Sequence, residues 1–447
     1  MNKQGIEKVY IFAKRLNVSF TMESIKIHIN KLGRIKDSDV EIDRLMLFCG
    51  ESGMGKSYVA MLCHYFFYVW LHPVRINLFL KEQGAVYELL REQMLDKGTA
   101  LQIDKQELEK WLATDAVRFL GYLLSSEMND DNITVTLPNT IPDQIVFTYE
   151  KTIEGIVSDE DTYVLLHSNH FKYRAKDKGI NINEESPFAI LLRSEIMHCV
   201  FGDYQALRNY FILPPSRGAM LTEKVVPQTG LYRKFEECLS TLRTLDVSEN
   251  TAQIRVSEDL LRLMDGRIGQ ENDTFYYETN NIHIPLSAAA SSIREIGVLQ
   301  LLLEKTSLSN DAILIEEPEA HLHPKKQRMM ADVIARFFNA GAYMQITTHS
   351  DYFLHRFNEL LMLGDLKGKL DQTEFETVCA SLNEFPDNAI TKNNVKAYLL
   401  EKDEGDFSHI KLMSIDEGIP FTSFREVILQ SLDKEEKLKS LLGNDNN

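Results

Sequence analysis

The sequence predicts an α/β fold, and three observations lead to that class. A short apolar run at 45–49 ends in glycine and precedes a long helical pattern, as expected of a buried strand that leads into a helix. In the last third of the chain, short apolar runs alternate with helical patterns, which indicates the strand–helix units of a parallel sheet. The composition, 44% hydrophobic and 26% charged over 447 residues, is typical of a globular protein with two or three lobes.

The N-terminal region, residues 1–74, is predicted to combine three strands with one helix. The segments 25–29 and 38–42 alternate apolar and polar residues, which is typical of half-buried strands. The buried strand follows them. The helix after it begins at about Tyr58, and Pro73 ends it because proline cannot continue a helix.

The middle of the chain, residues 75–280, is predicted to be an inserted lobe of mixed, largely helical structure. Residues 75–127 are helical in pattern and rich in Leu, Glu and Lys, whereas 133–138 and 144–151 indicate a pair of strands. Further helices are predicted at 188–207 and 223–264, and further strands at 163–166, 210–213 and 274–284.

The C-terminal region, residues 281–447, has the most regular pattern. Its alternating elements are expected to complete the α/β domain that begins in residues 1–74. The predicted helices are 291–303, 325–339 and 423–442, and the predicted strands are 312–315, 343–347, 395–400 and 409–413.

Residues 50–57 read Gly-Glu-Ser-Gly-Met-Gly-Lys-Ser and fit the phosphate-binding pattern G-x-x-x-x-G-K-[ST] at every fixed position. Glycines let the backbone curl so that its N–H groups point at phosphate oxygens, Lys56 supplies a positive charge, and the hydroxyl of Ser57 is a ligand for Mg²⁺. We therefore expect ATP and Mg²⁺ as cofactors. The residues predicted to bind the nucleotide are Gly50, Ser52, Gly53, Gly55, Lys56, Ser57 and Tyr58.

Two acidic residues follow the predicted strand 312–315. Carboxylates at the carboxyl end of a buried parallel strand lie where an α/β sheet meets its ligand. Glu316 is therefore predicted to hold Mg²⁺ together with Ser57, and Glu317 to orient and activate the attacking water. A charged surface turn would not explain the four apolar residues that precede the acids.

His349 lies just beyond the next predicted strand, 343–347. A histidine there can hydrogen-bond a γ-phosphate and respond to its loss. Taken alone, a histidine at a strand end is more often an ordinary packed or surface residue. Its position one helix after the acidic pair favours a role in the reaction, so Glu317 and His349 are the predicted catalytic residues.

These three pieces together resemble the ABC ATPase superfamily, and its RecF, SMC and OLD-like branch more closely than its transporters. Residues 315–324, Ile-Glu-Glu-Pro-Glu-Ala-His-Leu-His-Pro, resemble the Walker B motif and D-loop of that branch, and 347–350, Thr-Thr-His-Ser, its H-loop. The resemblance covers 1–74 and 280–447 well and implies an ABC-type P-loop ATPase head with an inserted lobe. Glu316 stands where aspartate is more usual, and no Q-loop glutamine is placed.

In this family the signature motif of one subunit covers the ATP held by another, so that two heads close over two nucleotides. The matching segment here is 285–295, in which Ser291, Ser292 and Arg294 are the predicted contacts to the partner's nucleotide. Ile293 stands where the common LSGGQ pattern has glycine, which leaves open which serine makes the contact. A serine that simply caps the helix is the alternative. The expected partner is a second copy of the chain, in a head dimer or a higher oligomer.

The formal net charge of −17 argues against a mainly electrostatic grip on nucleic acid, although a local basic patch would still permit one. Five widely spaced cysteines without a CxxC pair indicate a reduced chain with neither disulfide framework nor zinc ribbon. The basic start of the chain does not read as a signal peptide, and the apolar stretch 58–74 is short for a membrane span. We expect a cytoplasmic protein that does not bind membranes.

Three weaker signals lie outside this site. His321 and His323 suggest a metal pair, but partners at convincing spacing are missing. Arg217 belongs to a Pro-x-x-Arg pattern that resembles one in the same branch, and either a contact to phosphate or a partner, or a solvated turn, would explain it. The basic residues of 325–328 are typical of a solvated helix face.

The resemblance implies that ATP binding and hydrolysis drive head dimerisation, which gates a partner effector. Heads of this size without a long coiled coil resemble the ATPase subunits of the bacterial anti-phage systems Septu and PARIS and of retrons, in which a separately encoded nuclease or toxin is the effector. No TOPRIM nuclease domain is apparent. Two alternatives stay open: a RecF- or SMC-like DNA-maintenance ATPase, and a nucleotide-gated scaffold with little turnover. A transporter ATPase fits less well, because of the inserted lobe.

Overall fold

The structure is a computed structural model and describes residues 10–13, 24–84, 101–154, 161–176, 186–222, 226–245, 251–271, 274–403, 405–416, 418–420 and 423–443. The strands are β1 Tyr10–Ala13, β2 Lys26–Leu32, β3 Ile35–Glu41, β4 Leu45–Gly50, β5 Leu101–Asp104, β6 Asn132–Thr136, β7 Gln144–Glu154, β8 Asp161–His167, β9 Phe171–Lys176, β10 Asn209–Leu213, β11 Arg267–Glu271, β12 Thr274–Thr279, β13 Ile282–Pro285, β14 Asp311–Glu316, β15 Tyr343–Thr347, β16 Val395–Lys402 and β17 Ser408–Leu412. The helices are α1 Lys56–Leu71, α2 Pro73–Glu82, α3 Lys105–Leu124, α4 Pro187–Phe201, α5 Ala219–Thr222, α6 Gly230–Thr244, α7 Thr251–Met264, α8 Ser291–Lys305, α9 Pro324–Asn339, α10 Asp351–Lys369, α11 Gln372–Leu382 and α12 Ser423–Gly443.

Within the described residues, nine strands form one large sheet in the order β10-β14-β15-β4-β16-β17-β3-β2-β6. The first five strands are parallel to one another. β17 pairs antiparallel with β16 and parallel with β3, and β2 pairs antiparallel with both β3 and β6. A parallel core whose strands alternate with helices along the chain confirms the predicted α/β fold class.

Helices cover both faces of the parallel core, which is why its strands are apolar throughout rather than alternating. All six residues of β14 are buried. Ala312 and Leu314 point into a core shared with α1, whereas Ile313 and Ile315 point into a second core shared with α8, α9 and α10. The period of two along the strand thus divides one apolar run between two cores.

The strand registers bring several loops to one edge of the sheet. Glu316 at the end of β14 pairs with Thr347 on β15, and Thr347 pairs with Phe48 on β4. Gly50 at the end of β4 pairs with Leu400 on β16. Because parallel strands end at the same edge, the loops that follow β4, β14 and β15 lie side by side.

The segment 75–280 contributes strands to all three sheets that the described residues form. β6 pairs with β2 at one end of the large sheet, and β10 pairs with β14 at the other. The segment's strands β5, β7, β8 and β9 join β1 in an antiparallel sheet of order β1-β9-β8-β7-β5, and β11 and β12 form a three-stranded antiparallel sheet with β13. The division of the chain at residues 74 and 280 stays a prediction, but the large sheet draws strands from both sides of each boundary.

Five predicted elements need correction. Pro73 follows the end of α1, as expected, but it also begins α2, where its missing N–H is tolerated. Part of the segment predicted helical at 75–127 is the strand β5, and residues 85–100 lie outside the described ones. The predicted helix 188–207 ends at Phe201 because Gly202 adopts a φ of 80° and terminates it. The predicted strand 274–284 is a hairpin of β12 and β13.

The predicted helix 223–264 is two helices, α6 and α7, and the residues 223–225 and 246–250 lie outside the described ones. All five cysteines are buried and carry free thiols. Among the helices that the structure describes, none is both long enough and apolar enough to cross a membrane.

Candidate functional site

The phosphate-binding loop 50–57 connects β4 to α1. Gly50 and Gly55 adopt φ values of 129° and 99°, which residues with a side chain rarely adopt. Space adds a second requirement, since a Cβ atom on Gly50 would lie 2.4 Å from the carbonyl oxygen of Leu400, and one on Gly55 would lie 2.9 Å from a methyl carbon of Ile35. The fold itself therefore needs both glycines of the motif.

Lys56 begins α1 and is almost fully buried. Its ammonium donates hydrogen bonds to the carbonyl oxygens of Gly50 and Glu51, at 2.7 and 2.8 Å. Burial lowers the pKa of Lys56, and the carboxylate of Glu317 opposes that change. The ammonium of Lys56 is thus bound to the backbone of the loop, and the carboxylate of Glu317 interacts with its charge.

The Ser57 hydroxyl donates a hydrogen bond to Oε2 of Glu316. Glu316 is buried, and its Oε1 has no hydrogen-bond partner among the described residues. Burial raises the pKa of Glu316 to about 7. A buried carboxylate with one unsatisfied oxygen beside a hydroxyl suits a hard divalent cation, which prefers oxygen ligands. These residues therefore fit Mg²⁺.

Glu317 leaves the strand through a sharp turn, with a φ of 46°. Its N–H donates to the carbonyl oxygen of Thr347 at 3.1 Å, which fixes the turn to the neighbouring strand. Oε1 of Glu317 lies 3.3 Å from Nδ1 of His349, and both side chains are partly exposed. This hydrogen bond lowers the pKa of Glu317 and raises the pKa of His349. The two predicted catalytic residues thus form a hydrogen-bonded pair, which favours the charged form of each.

Glu319 holds the loop that carries the histidine, a role that the sequence did not predict. Its Oε1 accepts hydrogen bonds from the hydroxyl of Thr348 at 2.6 Å and from the N–H of His349 at 3.2 Å. The side chain is buried, and burial raises the pKa of Glu319. In the sequence, the role of Glu319 is indicated only by its position close to Glu316 and Glu317. Acidic residues are common in surface turns, so that position alone does not predict a role.

A cavity of about 440 Å³ opens beside the loop. Its lining includes six of the seven residues predicted to bind the nucleotide, all but Gly50. The lining residues are Gly33, Arg34, Ser52, Gly53, Gly55, Lys56, Ser57, Tyr58 and Glu317.

Gly33 and Arg34 were not predicted to belong to the site. They lie between β2 and β3, and Gly33 faces Tyr58 so closely that a Cβ atom would be 3.0 Å from the ring. Arg34 brings an exposed guanidinium to the same cavity as Lys56, and guanidinium groups suit phosphate oxygens. A basic residue in a turn between strands is too common a pattern to be singled out without the structure.

None of the residues 285–295 of the signature segment lines this cavity. Ala290 is the N-cap of α8, so Ser291 and Ser292 are the first two residues of the helix and neither acts as its cap. Ser291 is exposed, whereas Arg294 is partly buried and its Nε has no hydrogen-bond partner among the described residues. The alternative of a plain capping serine is therefore wrong.

The weaker signals of the sequence have structural explanations. Arg217 is fully buried. Its side chain is therefore neither solvated nor accessible to a phosphate group in solution. Nδ1 of His323 accepts a hydrogen bond from the N–H of Lys325 and caps α9. The ring of His323 is therefore part of a helix cap, which argues against a metal pair with His321.

A cluster of His170, Glu195 and Cys199 lies elsewhere, with candidate ligand atoms within 4.8 Å of one another. Both oxygens of Glu195 are already engaged. Its Oε1 accepts from the hydroxyl of Ser168 and the N–H of His170, and its Oε2 lies 2.7 Å from Nδ1 of His170. Burial raises the pKa of the Cys199 thiol to about 12, the opposite of what a thiolate ligand needs. The cluster is explained as an anchor for the turn between β8 and β9.

The family model described as AAA ATPase domain matches residues 231–354, which include the acidic pair and His349 but not the loop 50–57. A comparison with curated proteins gives no match. The SMC head domain from Thermotoga maritima is 9% identical with a TM-score of 0.31, over 88% of this chain and 100% of that one.

Two further solved structures are similar at the same low level. An Smc head with an extended coiled coil from Pyrococcus furiosus, bound to the C-terminal domain of ScpA, is 11% identical with a TM-score of 0.35, over 92% of this chain and 99% of that one. A dimeric ABC transporter cassette is 9% identical with a TM-score of 0.27, over 74% and 90%. The loop 50–57, the acidic pair 316–317 and His349 lie along one edge of the parallel sheet, and the AAA ATPase domain model matches the last two of these three segments.

Proposed function

We propose that this chain binds ATP with Mg²⁺ and hydrolyses it at the edge of the sheet where β4, β14 and β15 end. The observation that carries the proposal is the meeting of three distant segments, in which Ser57 bonds to Glu316 and Glu317 pairs with His349. A phosphate loop, a buried carboxylate for a cation and a carboxylate–imidazole pair for water are the parts that phosphoryl transfer to water needs.

Each residue of the proposed site has a role that its surroundings support. Lys56 and the backbone N–H groups of the loop would hold the β- and γ-phosphates. Ser57 and Glu316 would hold Mg²⁺, which neutralises charge on the phosphates. Glu317, whose pKa is lowered by its hydrogen bond with His349, would orient the attacking water and accept its proton.

We propose that two heads pair, with Ser291, Ser292 and Arg294 of each chain meeting the nucleotide of the other. Support comes from the position of this segment, which lies at the start of α8 and outside the cavity of its own chain. N–H groups in the first turn of a helix and its positive end favour phosphate oxygens. The serine hydroxyls take no part in capping, which leaves them available to a partner.

The substitution Glu317→Gln tests the hydrolytic role, because an amide keeps the shape of the side chain but cannot accept the proton. We expect the rate of phosphate release to fall by about 10²–10⁴-fold while ATP still binds. Light scattering should then show ATP-bound pairs that accumulate because they are not consumed. Glu376→Gln, on the surface of α11, is the matched control and should hydrolyse at the wild-type rate. A wild type as slow as Glu317→Gln would refute hydrolysis and favour the nucleotide-gated scaffold.

We further propose that ATP-dependent pairing gates a separately encoded effector, such as a nuclease or toxin, in bacterial anti-phage defence. The support is the resemblance of the motifs to ATPase subunits of Septu, PARIS and retron-associated systems. Co-purification of the chain with the product of a neighbouring gene, in an ATP-dependent manner, is the expected result. A stable solitary protein without such a neighbour would contradict it, and steeply salt-dependent binding to duplex DNA would favour DNA maintenance instead.

A further inference from the structure

The turn after β10 lies beside the proposed site without a role in the reaction. β10 pairs in parallel with β14, and its last residue, Leu213, is opposite Ile315. The carboxyl end of β10 therefore lies next to Glu316. The chain then turns through Ser216, whose φ is 56°, and Arg217 directs its side chain back into the protein.

Arg217 is fully buried and binds two separate backbone segments. Its Nη1 donates to the carbonyl oxygen of Glu316 at 2.9 Å and to that of Pro214 at 3.2 Å. Its Nε donates to the carbonyl oxygen of Glu295 at 3.2 Å. One guanidinium thus holds the end of β14 and the beginning of α8 in a defined relation.

Glu295 makes the reciprocal contacts from the helix. Its Oε1 accepts from the N–H of Gly218 at 3.2 Å, and its Oε2 lies 3.7 Å from Nε of Arg217. Gly218 approaches α8 so closely that a Cβ atom would be 2.6 Å from the carbonyl carbon of Arg294. Contacts in both directions, together with this close approach, make the turn and the start of α8 one packed unit.

Stability alone does not account for this ion pair. Arg217 and Glu295 are both buried, yet Nη2 of the arginine and Oε2 of the glutamate have no hydrogen-bond partner among the described residues. Burying two charges is costly, and an apolar pair of similar volume often stabilises a fold at least as well. A fixed geometry between the strand end and the helix is the property that the pair does provide.

We propose that Arg217 and Glu295 are positioning residues that couple the cation end of one nucleotide site to the signature segment that faces the other site. This inference rests on the function proposed above. Glu316 is bound on both sides, because its carboxylate contacts Ser57 while its carbonyl oxygen contacts Arg217. A shift of Glu316 on binding Mg²⁺ and ATP would therefore pass to α8 and to residues 291–292 near its start.

Two substitutions test the coupling while keeping most of the volume. Glu295→Gln removes the charge but keeps an acceptor for the N–H of Gly218. Arg217→Lys keeps the charge but replaces two spaced donor nitrogens, Nε and Nη1, with a single ammonium nitrogen on a shorter side chain. We expect the Hill coefficient of ATP hydrolysis to fall from about 2 toward 1, and the rate at saturating ATP to fall about tenfold. The affinity of the unpaired chain for ADP should stay within about twofold of the wild type, since the loop and Lys56 are untouched.

Glu304→Gln is the matched control, because Glu304 lies on the same helix and interacts with Gln300 instead. It should keep the wild-type Hill coefficient. Thermal unfolding of each variant separates positioning from damage, and a joint loss of melting temperature and ADP affinity in Glu295→Gln would overturn the proposal. If Arg217→Lys fails to fold, Glu295→Gln alone decides.

The outcomes distinguish the coupling from the function on which it rests. Wild-type protein that hydrolyses ATP and pairs, but with a Hill coefficient of about 1, would overturn the coupling and leave the ATPase intact. Glu295→Gln with wild-type cooperativity would do the same. A wild type that neither hydrolyses ATP nor pairs would overturn the proposed function itself.

Discussion

The two halves of the proposed site are built in different ways. In the P-loop half, the side chains of Lys56, Ser57 and Glu316 are bonded within the chain, and the lysine and the glutamate are buried. In the signature half, Ser291 is exposed and Ala290 caps its helix without a side-chain hydrogen bond. The contacts of the P-loop half are thus made within one chain, whereas Ser291 of the signature half is exposed to solvent. We therefore expect binding to be a property of one chain and turnover to be a property of a pair.

The largest expected effect lies in the P-loop half. Lys56→Ala removes the charge and the hydrogen bonds to the carbonyl oxygens of the loop, so ATP affinity should fall by at least about 100-fold. Titration with a fluorescent ATP analogue measures it. Lys110→Ala, an exposed lysine of α3 that pairs with Glu107, should bind as the wild type does. An unchanged ATP affinity in Lys56→Ala would refute the proposal that the loop 50–57 binds ATP.

A smaller effect is expected at His349, which orients Glu317 rather than holding the nucleotide. His349→Ala should reduce phosphate release in a single turnover by about 10–100-fold, with ATP affinity retained. The pKa of Glu317 should rise toward its ordinary value, because the hydrogen bond that lowers it is lost. The acidic limb of the pH–rate profile should therefore move to higher pH. His355→Ala, on the neighbouring helix α10, should leave the profile in place, and an unmoved limb in His349→Ala would contradict the pairing.

Substitutions in the signature half should reduce the turnover of paired chains without changing how a single chain binds ATP. Ser291→Ala and Ser292→Ala should bind ATP as single chains with wild-type affinity, and the serine that meets the partner should lose about tenfold in turnover. Mixing that variant with Lys56→Ala sharpens the comparison, since each chain then supplies the half that the other lacks. We expect activity to return in the mixture. A mixture as inactive as its components would show that the two halves are not shared between chains.

A last prediction concerns stability rather than activity, and it lies in α1, the helix that follows the P-loop. His64 on α1 lies fully buried, with Nδ1 2.8 Å from the side-chain oxygen of Gln345 on β15. Burial lowers the pKa of His64 to about 4, below the value of about 6.5 expected in the unfolded chain. The unfolded chain therefore binds the proton first, and the free energy of unfolding should fall by about 2 kcal/mol between pH 7 and pH 5.

Urea unfolding at the two pH values measures this loss. His64→Gln should lose about 2 kcal/mol less than the wild type, because the variant carries no group that titrates at this position. An equal loss in both proteins would show that His64 is not the group responsible.

The chemistry of the P-loop half was predictable from the sequence, because its motifs are contiguous. The loop 50–57 needs only glycines, a lysine and a hydroxyl in order, and the acids at 316–317 need only a preceding apolar strand. The α/β class followed from the same local patterns. Patterns failed at β5, where Asp104 ends a short strand and caps α3 within a stretch whose composition favours helix. A strand of four residues has too few positions to show a period of two.

Only the tertiary structure decided the parts of the site that depend on distant segments. Arg34 reaches the cavity because the turn between β2 and β3 lies beside the loop, and Glu319 holds a loop thirty residues further along the chain. The sequence around Arg217 is compatible with either a solvated turn or a binding role, and the contacts to the end of β14 and to α8 decide between them. A local pattern determines which groups a segment can offer. Burial and partners are set by what packs over that segment, and those elements come from elsewhere in the chain.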